Sequence, residues 1–154
     1  MASKTSATRA FLLRFNVHGR AIRTNLAKIA SELIHRSAVH DDSKLSDEQL
    51  DRYISRHQEI HDLKYESPKR EKIEEKYKDL LKTHHSEYRH HPEHFKNGID
   101  DMNLVDVIEM LCDWAGAGAD IEQSLKLNQK KYCISPQLMT LIKNTIKDFD
   151  IKGV

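Results

Sequence analysis

Apolar residues recur at helical spacing along most of the chain, and runs of Val, Ile or Thr are few. Phe11, Phe15, His18, Ile22, Leu26, Ile29 and Leu33 follow at steps of four, three, four, four, three and four, one stripe on a helix over roughly residues 5 to 36. His40-Asp41-Asp42-Ser43-Lys44 reads as a polar turn. Ser46 with Gln49 three residues on reads as a capping box opening a second helix that ends near residue 62. Ser67-Pro68 is an N-cap followed by proline at the first helical position, and it opens a third helix with Ile73, Tyr77, Leu80, Leu81 and His84 facing inward. The KREKIEEKYKD run on that helix reads as a solvated face laced with i,i+4 pairs. The stretch from His90 to Gly98 has no period and holds helix breakers, so it predicts a loop. Asn103 caps a fourth helix to about residue 117, ended by Gly116 and Gly118, and a fifth covers about 119 to 131. Ser135-Pro136 opens a sixth that turns Leu138, Leu141, Ile142 and Ile146 inward.

This pattern, with only five Gly and three Pro in 154 residues, predicts an all-α fold. The length suits a single compact domain over residues 1–154 with five to seven helices, the first packed in the core. Residues before Glu32 include six bases and no acid, the composition of an organelle transit peptide, but a removable leader would not share its stripe with the rest of the chain. A net charge of +1 supplies no global field for nucleic acid or an anionic membrane, and no apolar run is long enough for a transmembrane helix. Two cysteines make no disulfide framework, so a reducing cytoplasm is expected, with Cys112 a small buried hydrophobe.

Candidate chemistry concentrates on the fourth helix and on the ten histidines. Apolar side chains from Leu104 to Trp114 cover nearly the whole circumference of that helix, which predicts burial. Asp106, Glu109 and Asp113 occupy the remaining arc, within about 60° of one another. Buried carboxylates require cations, either salt-bridge partners or a metal. His18 sits in an apolar stripe, where a hydrogen-bonded core histidine and a ligand both remain open readings. Five histidines crowd residues 84 to 94, and His84 continues an inward stripe while His85 points about 100° away from it. His57 and His61, four residues apart on a polar helix, read as surface residues.

Histidines with aspartates and without thiolates favour one or two divalent cations such as Mn²⁺, Fe²⁺, Co²⁺ or Mg²⁺ over structural zinc. Two such ions sharing a carboxylate would activate water and clamp a phosphoryl oxygen, which points to hydrolysis of a phosphate ester. Arg14 and Asn25, within about 40° of His18 around the helix, could hold a phosphate oxygen or a nucleoside hydroxyl.

The order His18, His40-Asp41, a histidine cluster and then Asp113 resembles the H…HD…D pattern of the HD-domain metal-dependent phosphohydrolases, which are all-helical. HDDSK is similar to the HDxGK form of the HD-GYP cyclic-dinucleotide phosphodiesterases, whose lysine reaches substrate phosphate, and His90-His91 resembles their paired histidines. The GYP sequence itself is absent, and Arg14 stands where members with three metals carry a further acidic ligand. HDDSKLSDEQ, HHSEYRHHPEHF, IDDMNLVDVIEMLCDW and IKNTI resemble a family of short phage and bacterial proteins of unassigned function. That family's H-x-x-x-N-x-H-H-P-E-H-F motif aligns with His84, His90 and His91 and puts Tyr88 in place of its Asn.

The resemblance implies a metal-dependent phosphohydrolase acting on a nucleotide or another small phosphorylated metabolite, in a host cytoplasm if phage-encoded. His18, His40, Asp41 and Asp113 would hold a first ion, and Asp41 would bridge to a second held by His84, His90 and His91. Lys44 and Arg14 would bind phosphate, and Glu109 would orient a ligand or the attacking water. A di-iron oxygenase with similar ligands and a non-enzymatic helical binding module are the alternatives.

Overall fold

In the computed structural model the described residues are 2–64, 67–117 and 121–152, with side chains from residue 5 onward. They form seven α-helices and no strand. The chain divides into two compact units, Met1–Ala38 and Val39–Val154.

Helix α1 (Ala2–Val39) dominates the first unit. Its 38 residues extend about 57 Å at 1.5 Å per residue. The stripe expected in the core is exposed instead: Phe11 is 65% and Leu26 62% accessible, and Phe15, Ile22 and Ile29 are exposed as well. The physical reason is that a lone helix has no second surface of its own against which to bury an apolar face. His18, placed by its period at a core position, is exposed for the same reason.

The second unit carries the packed core. A tight 3₁₀ turn at Asp42–Leu45 precedes α2 (Leu50–Ile60). The capping box expected at Ser46 does not form: Gln49 is the N-cap without a side-chain bond, and the Ser46 backbone carbonyl takes the Gln49 and Leu50 amides. The Ser67 hydroxyl does cap α3 (Pro68–Lys76), accepting from the Arg70 amide. The third helix predicted from the pattern is two helices, because the backbone leaves helical geometry at Tyr77 before α4 (Lys78–Glu87). Tyr77 is buried there, with its hydroxyl donating to Glu59 on α2 at 2.6 Å. Within the charged run, Glu74 accepts from both Arg56 and Arg70 and so ties α2 to α3.

Short 3₁₀ turns at Pro92–His94 and Gly98–Asp101 order the loop before α5 (Leu104–Gly116). Asn103 caps α5 in a reciprocal box, accepting from the Val105 and Asp106 amides while Asp106 accepts from the Asn103 amide. Ser135 caps α7 (Pro136–Asp148), which follows α6 (Ile121–Lys131). Gly118 and the expected start of α6 at residue 119 lie outside the described residues. Met110, Leu111 and Trp114 of α5 pack with Leu125 of α6, Ile134, and Met139 and Ile142 of α7. Two sequence expectations fail on these helices: Leu141 is exposed, and α5 is buried on one side only, leaving Leu104 and Cys112 in the open.

Two ion pairs fasten the His90–Gly98 loop. Asp106, fully buried on α5, accepts two bonds from Arg89, at 3.0 and 2.9 Å, and the guanidinium lies 4.9 Å from the Phe95 ring centroid. Glu93 accepts from Lys131 and from the Tyr132 hydroxyl, which joins the loop to the end of α6. Burial alone would raise the Glu93 carboxyl, but that ammonium and hydroxyl hold it down at about 2.

Removing one partner of a buried pair strands the other charge, so Arg89→Ala is expected to destabilise the fold by about 3 kcal/mol, read as a urea midpoint shift without a change in slope. The depressed Glu93 carboxyl stabilises the folded chain above the ordinary carboxylate range, and that stabilisation fades as pH falls toward about 2. Glu93→Gln should therefore remove part of the pH dependence of stability on the acid side and leave the neutral-to-alkaline side with a flat offset; an unchanged acid limb contradicts the pairing.

Candidate metal centre

Helix α1 ends at Val39, and the chain turns through Asp41, which holds a left-handed backbone conformation at φ 62°. Aspartate tolerates that region better than most residues. Its carbonyl accepts from the Lys44 amide at 2.9 Å, and the Tyr88 hydroxyl accepts from the Ser43 amide at 2.7 Å. The turn is thereby pinned to the end of α4. His84 comes from the inward face of α4, and His90 and His91 from the turn after it, which Arg89 fastens to α5. Glu109 and Asp113 follow Asp106 along one stripe of α5, as the helical period implies.

These elements bring seven side chains together in the second unit. Two overlapping sets of donor atoms lie within 4.8 Å of one another: Asp41, His84, His90 and His91, and His40, Asp41, His90 and Asp113. Asp41 Oδ1 is 3.1 Å from His84 Nε2 and 3.5 Å from His90 Nε2. His84 Nε2 and His91 Nε2 are 2.9 Å apart. His40 Nε2 is 3.6 Å from both Asp41 Oδ2 and Asp113 Oδ1. A cation with bonds of about 2.1 Å sets its ligands about 3.0 Å apart at right angles and about 3.4 Å apart at tetrahedral angles. The observed separations fall around that range.

Glu109 arranges the imidazoles. Its Oε1 lies 3.2 Å from His40 Nδ1 and 3.1 Å from His90 Nδ1. An ionised carboxylate only accepts, so both Nδ1 atoms are the donors, and neutral His90 presents a bare lone pair at Nε2. That Nε2 and Asp41 Oδ1 are buried without a hydrogen-bond partner, since their close contacts lack hydrogen-bond alignment. An orphaned acceptor pair costs free energy in a protein interior, and a cation would satisfy both atoms at once. The donor set therefore fits a divalent metal.

The electrostatics divide the site. Burial, reinforced by neighbouring imidazoles, pushes His91 down to about 2 and also lowers His85. Burial lowers His90 too, against the pull of Asp113 and Glu109. His90 and His91 are thus neutral and need shed no proton to bind an ion. In contrast Asp113, with Glu109 and Asp41, holds His40 up at about 9 despite partial burial. Burial would raise the Asp41 carboxyl, but His84 and the paired Lys44 ammonium keep it far below the ordinary carboxylate range. His84 and His90 are sealed, whereas the side chains of His40 and Asp113 are 31% and 28% accessible, so the cluster opens to solvent on their side.

Among the residues singled out from sequence, His40, Asp41, His84, His90, His91 and Asp113 gather here. Glu109 touches the two imidazoles from behind, and Lys44 pairs with Asp41 while its ammonium stands 5.8 Å from the Tyr53 ring centroid. His18 and Arg14 lie on α1 in the first unit, both exposed, and the donor cluster of the second unit gathers without them. His85 is half-buried with its ring 4.3 Å from that of His91, and it is in neither donor set. His57 and His61 are exposed. Sequence reasoning missed Arg89 as the cation waiting for Asp106 and Tyr88 as the anchor of the turn. The only signal for Arg89 was the demand that a buried carboxylate be paired.

The model of a family of unknown function (DUF5662) matches residues 8–148. No curated protein and no solved structure matches the chain. The matched span takes in α1, the HD turn, the histidine loop and the carboxylate stripe of α5, and the chain belongs to this family of unknown function.

Proposed function

We propose that the His/Asp cluster is a divalent metal centre that hydrolyses a phosphate ester of a nucleotide or another small phosphorylated metabolite. The observation that carries this reading is the pair of buried, unpartnered ligand atoms, Asp41 Oδ1 and His90 Nε2, 3.5 Å apart while Glu109 holds His90 from behind. In this reading His84, His90 and His91 with one Asp41 oxygen would hold one ion, and Asp113 with the other Asp41 oxygen and His40, once it gives up its proton, would hold a second. A cation bound there supplies Lewis-acid polarisation of a phosphoryl oxygen and activation of water.

The remaining work falls to the chain's own groups. Glu109 fixes two ring orientations through Nδ1, which keeps the ligating nitrogens from rotating. Lys44, partly exposed beside Asp41, supplies an ammonium for a phosphate oxygen. The accessible edge formed by His40 and Asp113 is the side from which a phosphoester reaches the centre. Tyr53, whose hydroxyl is buried without a partner and pushed up to about 12 by burial and by Asp41, stays a neutral donor beside that lysine.

The test is elemental analysis of protein purified without chelator, combined with phosphate release from nucleoside mono-, di- and triphosphates and cyclic dinucleotides in the presence of Mn²⁺, Co²⁺, Mg²⁺ or Fe²⁺. Asp41→Asn keeps a side chain that tolerates the left-handed turn but removes the shared charge, so it is expected to lose bound metal and activity by several orders of magnitude. Lys44→Ala should retain metal and lose one charge-assisted contact of about 1.5 to 3 kcal/mol, a factor on the order of 10 to 150 in kcat/KM. Wild-type protein without metal contradicts the reading and favours a binding module, and bound iron that consumes dioxygen contradicts hydrolysis.

A further inference from the structure

Two apolar faces of this chain are left uncovered, and their charges are opposite. On α1 the stripe of Phe11, Phe15, Ile22, Leu26 and Ile29 falls within about 60° of arc and is exposed throughout. Residues 1–38 carry seven basic side chains and one acid. The second face lies on α5, where Leu104, Val105, Ile108 and Cys112 span about 100° on the side turned away from the core. Leu104 is 74% accessible, Cys112 is exposed, and Val105 and Ile108 are only half-buried. Between Lys96 and Lys126 the sequence holds seven acids and no base; of these, Asp100 and Asp101, just before Leu104, are exposed, whereas Asp106 is buried on Arg89 and Glu109 and Asp113 face imidazoles of their own unit. Residues 39–154 as a whole carry eighteen bases against twenty-three acids.

We infer that the protein is a reciprocal dimer in which α1 of each copy docks its apolar stripe on the outer face of the other copy's α5. Each face is left exposed, and a second copy offers the surface that each one lacks. The exchange is two-fold and closes on itself, so it leaves no free end for further growth. Opposite charge selects this pairing over its rivals. Two α1 helices side by side would set seven bases against seven, whereas α1 on α5 sets the basic segment against the acidic one. Leu12, Leu13 and Val17 lie on other faces of α1, also exposed, so the helix lacks the single polar side that an interfacial membrane helix presents. The partner is therefore a protein surface, apolar and acidic, and the chain itself contains one.

Cysteine cross-linking tests this directly, because Cys112 already sits in the proposed face. In full-length protein with Cys133→Ser, the seam variants Phe15→Cys, Ile22→Cys and Ile29→Cys are oxidised singly and run on a non-reducing gel, beside Arg20→Cys, which lies about 180° from the stripe. The expected result is a disulfide-linked product of twice the 17.9 kDa chain from at least one seam position and none from Arg20→Cys. Sedimentation should show a dimer that weakens as salt rises, and Ile22→Asp should return it to monomer with helix content unchanged, since Ile22 is already exposed within one chain. A monomer at every concentration overturns the inference. So does an intrachain product from the seam variants, or a dimer that Ile22→Cys still forms when Cys112→Ser is added, which would mean that α1 pairs with α1. Sedimentation of the monomer with anionic vesicles would overturn it in favour of a lipid surface.

Discussion

One carboxylate oxygen organises the site: Glu109 Oε1 faces His40 Nδ1 at 3.2 Å and His90 Nδ1 at 3.1 Å. Because an ionised carboxylate can only accept, this contact decides the tautomer of the neutral His90 ring and locks the planes of both rings, His40 itself being held up at about 9. The opposite nitrogens then point toward Asp41, one from the helix junction after α1 and one from the loop before α5. Imidazoles left free to rotate or to change tautomer would present a hydrogen as often as a lone pair. The crowding of donors around Asp41 depends on a group that need not touch any ion itself.

Glu109 can do this because α5 repeats its carboxylates at Asp106, Glu109 and Asp113, close to one turn apart. Each meets a cationic or titratable partner: Arg89 for Asp106, His90 and His40 for Glu109, and His40 again for Asp113. The same helix buries Met110, Leu111 and Trp114 in the core, so its acids stand on a packed element and not on a loop. Arg89 and His90 are adjacent in sequence, so the residue paired with Asp106 stands next to the one paired with Glu109. The capping box at Asn103 strengthens this arrangement, since Asp106 serves both the helix terminus and Arg89.

Local signals in the sequence translated well into structure. Ser67, Asn103 and Ser135 are side-chain N-caps where the pattern places them, and the 3.6-residue period correctly puts three carboxylates on one face of α5. His84 was separable from His85 by the same period, one buried and the other half-buried beside His91. What was not legible depends on distant partners. The Ser46 signal failed because α2 begins only at Leu50, with a turn held by the Ser46 carbonyl between Ser46 and the helix. The break at Tyr77 coincides with a tyrosine hydroxyl reaching Glu59, eighteen residues away. A stripe such as that on α1 says that an apolar surface exists, but period alone cannot say which surface covers it. The exposure of Cys112 has the same origin, in that an all-round apolar helix implies burial only where neighbours exist for every face.

The most direct measurement is calorimetric titration of Mn²⁺ or Co²⁺ into wild-type protein and Glu109→Gln, a variant that alters no proposed ligand. Glutamine keeps an acceptor oxygen but gives up the negative charge, so its bonds to the two Nδ1 atoms are of the weaker neutral kind. The account predicts a cation site in the wild type and affinity about 10- to 100-fold weaker in the variant, with thermal unfolding still cooperative. Equal affinity in the two proteins, or no binding by the wild type, would contradict it.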